Sequence, residues 1–139
     1  MEFYGNSVSA GYAVDDLSGR DLHDSIYTNN YKSYAALTAR HYDAKYHCIC
    51  KSGIGVTVSW DSLIMPEIYD KLIPTNSSSF WDFSNYSPDI VVVNLFQNDF
   101  LVKEFGTEAS KSRSSGDNFD FALFNFVIKT ERLSFFLTA

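Results

Sequence analysis

Seven residues, "DIVVVNL" at 89–95, constrain the fold of this chain more than any others. Three valines and an isoleucine in an unbroken run favour an extended backbone, because branching at Cβ suits a pleated surface. The run does not alternate apolar with polar residues. Both faces of the strand are therefore expected to be covered, as in a parallel sheet with helices on either side. "KYHCIC" at 45–50 is a second compact apolar run, and Glu2 to Tyr4 supplies the visible end of a first strand. Between them, "NNYKSYAALTARHYDA" places Tyr31, Tyr34, Ala35, Thr38 and Tyr42 at helical spacing, with Asn29 or Asn30 as the cap. "MPEIYDKL" predicts a short helix with Pro66 in its first turn. Strands separated by helices predict right-handed β-α-β crossovers and a parallel α/β sheet.

Further on, "FDFALFNFVIKTER" predicts a helix carrying Phe124, Val127 and Ile128 on one face, and "LSFFL" predicts a fourth strand. Residues 13–28, "PTNSSSFWDFSNYSP" and "EASKSRSSGDN" read as loops. The 139 residues suit one domain, 1–139, with enough chain for a buried core. Apolar residues make up 45% and aromatics 17%, which excludes a disordered chain. A formal net charge of -6 argues against a nucleic-acid partner, whose phosphates need a basic face. No apolar run has the length of a membrane span, and no signal peptide follows Met1 in this stretch. Cys48 and Cys50 form a C-x-C pair that points to one face of a strand, a poor spacing for a disulfide. No second Cys/His cluster completes a zinc site, so both read as free thiols, with no metal and no cofactor expected.

In parallel sheets ligands sit beyond the carboxyl ends of the strands. Ser7 follows the first strand, Gly53 and Gly55 follow the second, and Asn98 and Asp99 follow the third. Acyl transfer needs a nucleophile, a base, and donors aimed at the developing oxyanion. A serine at a strand-to-helix turn, a glycine whose backbone N–H is unshielded, and an asparagine amide are suited to two of those three tasks. Each signal alone is weak, since serine and Asn-Asp pairs are ordinary turn and cap residues. Their order along the chain is what points to a site.

"GNSVSAGY", "SGIGV" and "VVVNLFQND" resemble the first three sequence blocks of the SGNH (GDSL-type) hydrolases. "YHCICKSGIGV", "MPEIYDKL" and "FWDFSNYSPDIVVVNL" are similar in order and spacing to carbohydrate esterase family 2, the acetylxylan esterase-like deacetylases of xylan and related polysaccharides. The resemblance covers residues 2–105. It implies a three-layer α/β/α sandwich with a flavodoxin-like parallel sheet, Ser7 as nucleophile, and an oxyanion hole built from the Ser7 backbone, a backbone N–H of the Gly53–Gly55 turn, and Asn98. Between the two glycines, Gly53 is favoured. The implied substrate is an acetylated carbohydrate or small ester, and a secreted or periplasmic location is suggested by the resemblance alone.

Three departures bear on that reading. Asn6 stands where much of the superfamily has aspartate, and Phe96 stands where G-x-N-D has its glycine. The late D-x-x-H block that carries the family's base has no counterpart, because no histidine follows Asp120. The domain therefore reads as C-terminally incomplete, and the competing function is a non-catalytic remnant or carbohydrate-binding fragment. An incomplete sheet also predicts self-association through an exposed edge. Among the histidines, His23 lies nearest Ser7 in sequence but reads as a surface-loop residue. His41 falls late in a helix, and His47 is expected to be packed within the second strand. Asp15, Asp16, Asp21 and Asp24 read as a solvated acidic loop without the spacing of a calcium-binding hand. Trp60, Trp81 and Tyr86 are candidates to rim a sugar-binding crevice, although "WDFSNY" reads more readily as a loop packed on the core.

Overall fold

A computed structural model describes residues 1–20, 24–107, 125–129 and 135–138 of the chain. Its centre is a five-stranded sheet in the order β2-β1-β3-β4-β5. Strands β1 (Glu2–Gly5), β2 (His47–Cys50) and β3 (Ile90–Asn94) are mutually parallel, with β1 in the middle. Gly5 is level with Cys50 on one side and Asn94 on the other, so all three strands end on one line.

The parallel core agrees with the reading of the sequence, but the far side of the sheet does not. Asn125–Lys129 form a strand, β4, antiparallel to β3, where a helix was expected. Phe135–Thr138 form β5, antiparallel to β4 rather than a parallel fourth strand. The i, i+3, i+4 spacing of Phe124, Val127 and Ile128 fits a helix, yet residues 126–128 are also an apolar, partly β-branched run. The open edge of β3 supplies a ladder of backbone donors and acceptors for that run, and tertiary pairing overrides local periodicity. The expected loop at 108–118 and residues 119–124 of the expected helix lie outside the described residues, as do Asp21 and His23.

Two cores flank the sheet, one on each face. Phe3 packs with Ala35 and Ala39 of α2 (Tyr34–His41), flanked by Cys48 and Val92. On the other face Ile54, Leu95, and Met65 and Ile68 of α3 (Met65–Ile68) enclose Tyr4, Ile49 and Val93. The alternation Phe3/Tyr4, Cys48/Ile49 and Val92/Val93 thus sends neighbouring residues to opposite layers. The β3 residues remain half-buried rather than fully enclosed. Pro66 sits in the first turn of α3 as expected.

Helix α2 differs from its forecast in start and face. Asn29 makes no side-chain cap; Asn30–Lys32 form a 3₁₀ turn, and Ser33 caps α2 by accepting from the Ala36 N–H at 3.3 Å. The buried face is Ala35, Ala36 and Ala39, whereas Tyr31 and Tyr42 are about two-thirds exposed. The Arg40 guanidinium lies 3.8 Å from the centre of the Tyr31 ring, which gives that exposed aromatic its contact. The acidic loop is locally tied: Asp15 accepts from Asn29 and pairs with Lys32, Asp16 accepts from Ser18, and Asp24 caps Ile26. No helix among the described residues is long and apolar enough to cross a membrane.

The thiols of Cys48 and Cys50 are both free. The neighbouring Cys50 thiol brings the Cys48 thiol down to about 7 despite burial, and Cys48, together with burial, pushes Cys50 up. Because the thiolate is the nucleophile, alkylation of Cys48 by iodoacetamide is expected to rise with pH through a midpoint near 7. Cys50 should follow only at higher pH; peptide mapping of the two adducts across a pH series checks the order.

Gly5 is required by packing. A Cβ there would lie 1.9 Å from Ser9 Oγ, and Ser9 is itself fully buried and cannot withdraw. Gly5→Ala is expected to cost about 1–3 kcal/mol through overpacking, measured as a fall in the urea midpoint with an unchanged slope.

Candidate active site

The strand ends that meet on one line carry three turns, and side-chain hydrogen bonds lock these together. At the β1 exit, Asn6 caps α1 (Ser7–Ala10): its Oδ1 accepts from the Val8 N–H at 3.0 Å. Its Nδ2 donates to Gln97 Oε1 at 2.7 Å, and Gln97 Nε2 in turn donates to Asn94 Oδ1 at 2.5 Å. Asn6 is 1% exposed, so its amide is committed to joining the β1 and β3 exits. Ser7 follows directly and is only half-buried. Helix α1 is one turn long and stops at Gly11, whose φ of 75° is the left-handed cap that glycine supplies without strain.

The β2 exit is held to the same corner. The Lys51 N–H donates to the Gly5 carbonyl at 3.2 Å, and Lys51 forms an ion pair with Asp61. Gly53 has a φ of 78°, and its carbonyl accepts from the Trp60 N–H at 3.1 Å. The Gly55 N–H donates to Ser59 Oγ at 2.8 Å, so that donor is already spent.

At the β3 exit, α4 (Gln97–Phe105) begins with three polar residues, two of which turn inward. Asn98 Nδ2 donates to the Ile54 carbonyl at 2.8 Å, and the residue is 6% exposed. A primary amide carries two protons, so this bond orients Asn98 and leaves its second N–H for another acceptor.

Asp99 is 1% exposed. Its carboxylate accepts from the backbone N–H groups of Val56 (2.9 Å), Thr57 (2.6 Å) and Val58 (3.2 Å), and from the Thr57 hydroxyl at 2.8 Å. A Cβ on Gly55 would lie 2.5 Å from Asp99 Oδ2, so glycine is what allows the loop to close over the carboxylate. In the sequence Asp99 stood out only as a neighbour of Asn98; its partners are 41–43 residues away, and no local signal announces them. Gln97 is equally silent in the sequence, because its partner Asn6 is 91 residues away.

Phe96 adopts φ 77° and ψ -18°, the left-handed region, at the start of α4. This explains why a glycine suits the position. A side chain there costs about 1–2 kcal/mol, and packing of the Phe96 ring against the Ile54 cluster offsets it.

Two of the expected aromatic rim residues lie elsewhere. Trp81 and Tyr86 surround His47, with the His47 and Tyr86 rings stacked 4.0 Å apart and Trp81 tilted at 5.6 Å. His47 begins β2 and is level with Glu2, the start of β1, so this aromatic group occupies the edge opposite Ser7. His47 is packed, as read from the sequence. His41 closes α2 on the far side as well, since Ala44 and Lys45 follow it there and lead into β2. Trp60 does lie at the site: its side chain borders Gly53 and is 47% exposed. Among the described residues, no group of three or more His, Cys, Asp and Glu side chains could hold a metal ion.

Three parallel strands with helices on both faces, their exits bonded into one polar corner, define an α/β fold. No family model matches the chain. Comparison with known proteins nevertheless gives consistent relatives. The chain is 39% identical over 102 residues to the cellulase/esterase CelE of Acetivibrio thermocellus, covering 72% of this chain and 12% of CelE. It is 34% identical over 101 residues to an acetylxylan esterase/glucomannan deacetylase of Cellvibrio japonicus, covering 69% of this chain and 28% of that protein. Among solved structures, a family two carbohydrate esterase from Clostridium thermocellum, in complex with cellohexaose, superposes with a TM-score of 0.68 at 35% identity. That match covers 81% of this chain and 34% of the esterase. The corresponding esterase from Cellvibrio japonicus gives 0.64 at 32% identity, over 71% and 31% of the two chains. The chain is related to the family 2 carbohydrate esterases and spans about a third or less of each of these relatives.

Asp99→Asn replaces one acceptor oxygen with a donor that faces backbone N–H groups. The substitution is expected to cost at least about 2 kcal/mol, because bonds to a charged acceptor are lost and buried donors are left unpaired. Thr57→Val, which removes one of the bonds, should cost about 1 kcal/mol. Denaturant unfolding of both variants checks the ranking.

Proposed function

We propose that this chain carries the nucleophile and oxyanion-binding half of an SGNH-type ester hydrolase that removes O-acetyl groups from a carbohydrate. The observation that carries the reading is the pair of bonds Asn6–Gln97 and Asn98–Ile54, which gathers the turns after β1, β2 and β3 into one corner. In the reaction, Ser7 Oγ attacks the acetyl carbonyl carbon and its proton passes to a base. The carbonyl oxygen gains negative charge and accepts from the Ser7 N–H, the Gly53 N–H and the free proton of the Asn98 amide. The bond from the acetyl carbon to the sugar oxygen then breaks, that oxygen takes the proton, and water hydrolyses the acetyl-serine. Gly53 is preferred to Gly55 as donor because the Gly55 N–H is engaged by Ser59. Each oxyanion donor of this kind is worth about 10²–10³ in kcat.

The relatives support the substrate class: two curated relatives are named as esterases, and a neighbouring esterase structure holds cellohexaose. Trp60, beside Gly53, offers a flat exposed ring on which a sugar face can stack. The base is the part this chain does not supply from His41 or His47, which lie at the opposite edge. The competing reading, a non-catalytic fragment, is favoured by that same observation.

Hydrolysis of 4-nitrophenyl acetate and acetylated xylan separates the two readings. The 139-residue chain alone should fall short of an intact family 2 esterase by at least about 10²–10⁴, the contribution of a positioned general base. Whatever rate is present, or is gained when the sequence is extended with a D-x-x-H segment, should vanish in Ser7→Ala. A Ser7→Ala chain that keeps its rate removes Ser7 from the mechanism. Light scattering of the same preparation tests the expected self-association through a sheet edge, and a monomer at high concentration rejects it.

A further inference from the structure

The C-x-C pair of β2 plays no part in the proposed reaction. Cys48 and Cys50 flank Ile49, so their side chains leave the strand on the same face. Both thiols are free and half-buried. Among the described residues, strand β2 is an edge of the sheet, with β1 on one side and no strand on the other. A cavity of about 210 Å³ along this strand is bordered by both cysteines together with His47, Ile49, Leu72 and Trp81.

The spacing disfavours a disulfide and favours a bridge. Two residues of strand separate Cα atoms by about 6.6 Å, close to the upper limit of about 6.8 Å for a disulfide. Closing an S–S bond of about 2.05 Å would therefore strain a strand that is pinned to β1 along its whole length. A bridging atom relaxes that demand. With bonds to sulfur of about 2.3 Å, as for a thiolate-bound metal, it joins sulfurs that stay more than 3 Å apart. Two thiol sulfurs are soft donors and select soft partners over hard cations. We infer that Cys48 and Cys50 form a chelating dithiol site for a soft, thiophilic ion of the trivalent-arsenic class. With phenylarsine oxide as the probe, both S–H bonds break, two As–S bonds form, and the arsenic-bound oxygen leaves as water. Arsenic stays trivalent and no electron is transferred.

The test uses the full 139-residue chain and intact mass spectrometry. One phenylarsenic adduct per chain is expected, with loss of both thiols to Ellman's reagent. Excess 2-mercaptoethanol should leave the adduct in place, whereas 2,3-dimercaptopropanol should remove it. Cys48→Ser and Cys50→Ser should each retain the arsenical about 100-fold less well, the gain typical of two linked attachments over one. Two adducts per chain, one adduct shared between two chains, or stripping by the monothiol as readily as by the dithiol would overturn the site. So would full retention in either variant. The wild-type arms stand even if a variant fails to fold.

Discussion

The buried carboxylate of Asp99 holds the corner of this molecule together. Three consecutive backbone N–H groups and one hydroxyl converge on it from a loop more than forty residues earlier in the chain. A carboxylate offers only acceptors, and a loop that turns its N–H groups inward offers only donors, so each satisfies what the other would otherwise bury unpaired. The consequence reaches the neighbouring residues. With Val56–Val58 fixed, the preceding Ile54 carbonyl is presented to Asn98, and Gly53 is turned into its left-handed conformation against Trp60. The loop after β2 is thus positioned by backbone hydrogen bonding to one charge, while the Asn6–Gln97 bond joins the exits of β1 and β3.

The sheet supplies the frame on which that arrangement is built. Because β1, β2 and β3 are parallel and end level with one another, their exits open in the same direction. Gly5 lets α1 lie directly over the strand end, and Asn6 both caps α1 and reaches across to Gln97. Phe96 shows the compromise in such a frame. The chain must turn through a left-handed residue to start α4, and here the side chain is retained because it packs into the core beside Leu95 and Ile54. The aromatic group around His47, by contrast, belongs to the opposite edge.

Much of this was legible in the residues. The β-branched run at 89–95 announced a parallel strand, the apolar run at 45–50 a second, and Pro66 the start of α3. The turn residues Ser7, Gly53 and Asn98 could be picked out by their place after strands. The cap of α2 was misplaced because Asn30 and Ser33 are both good caps, and only the packing of Ala35 and Ala39 against Phe3 decides which turn is the first to be helical. The strand at 125–129 has a short apolar run that fits both the helical and the strand period. The partner that settles the matter, β3, lies more than thirty residues earlier in the chain.

The sequence by itself determined the alternation of strands and helices over residues 2–105, the parallel core, and which residues stand at the strand exits. These depend on side-chain branching, local spacing and turn chemistry, all of which act within a few residues. The tertiary structure alone decided that Asp99 anchors the loop, that the Ile54 carbonyl orients Asn98, that Gln97 holds Asn6, and that Trp81 and Tyr86 face away from Ser7. Hydrogen bonds between residues forty or ninety positions apart leave no periodic trace in a sequence, because their partners are chosen by the fold.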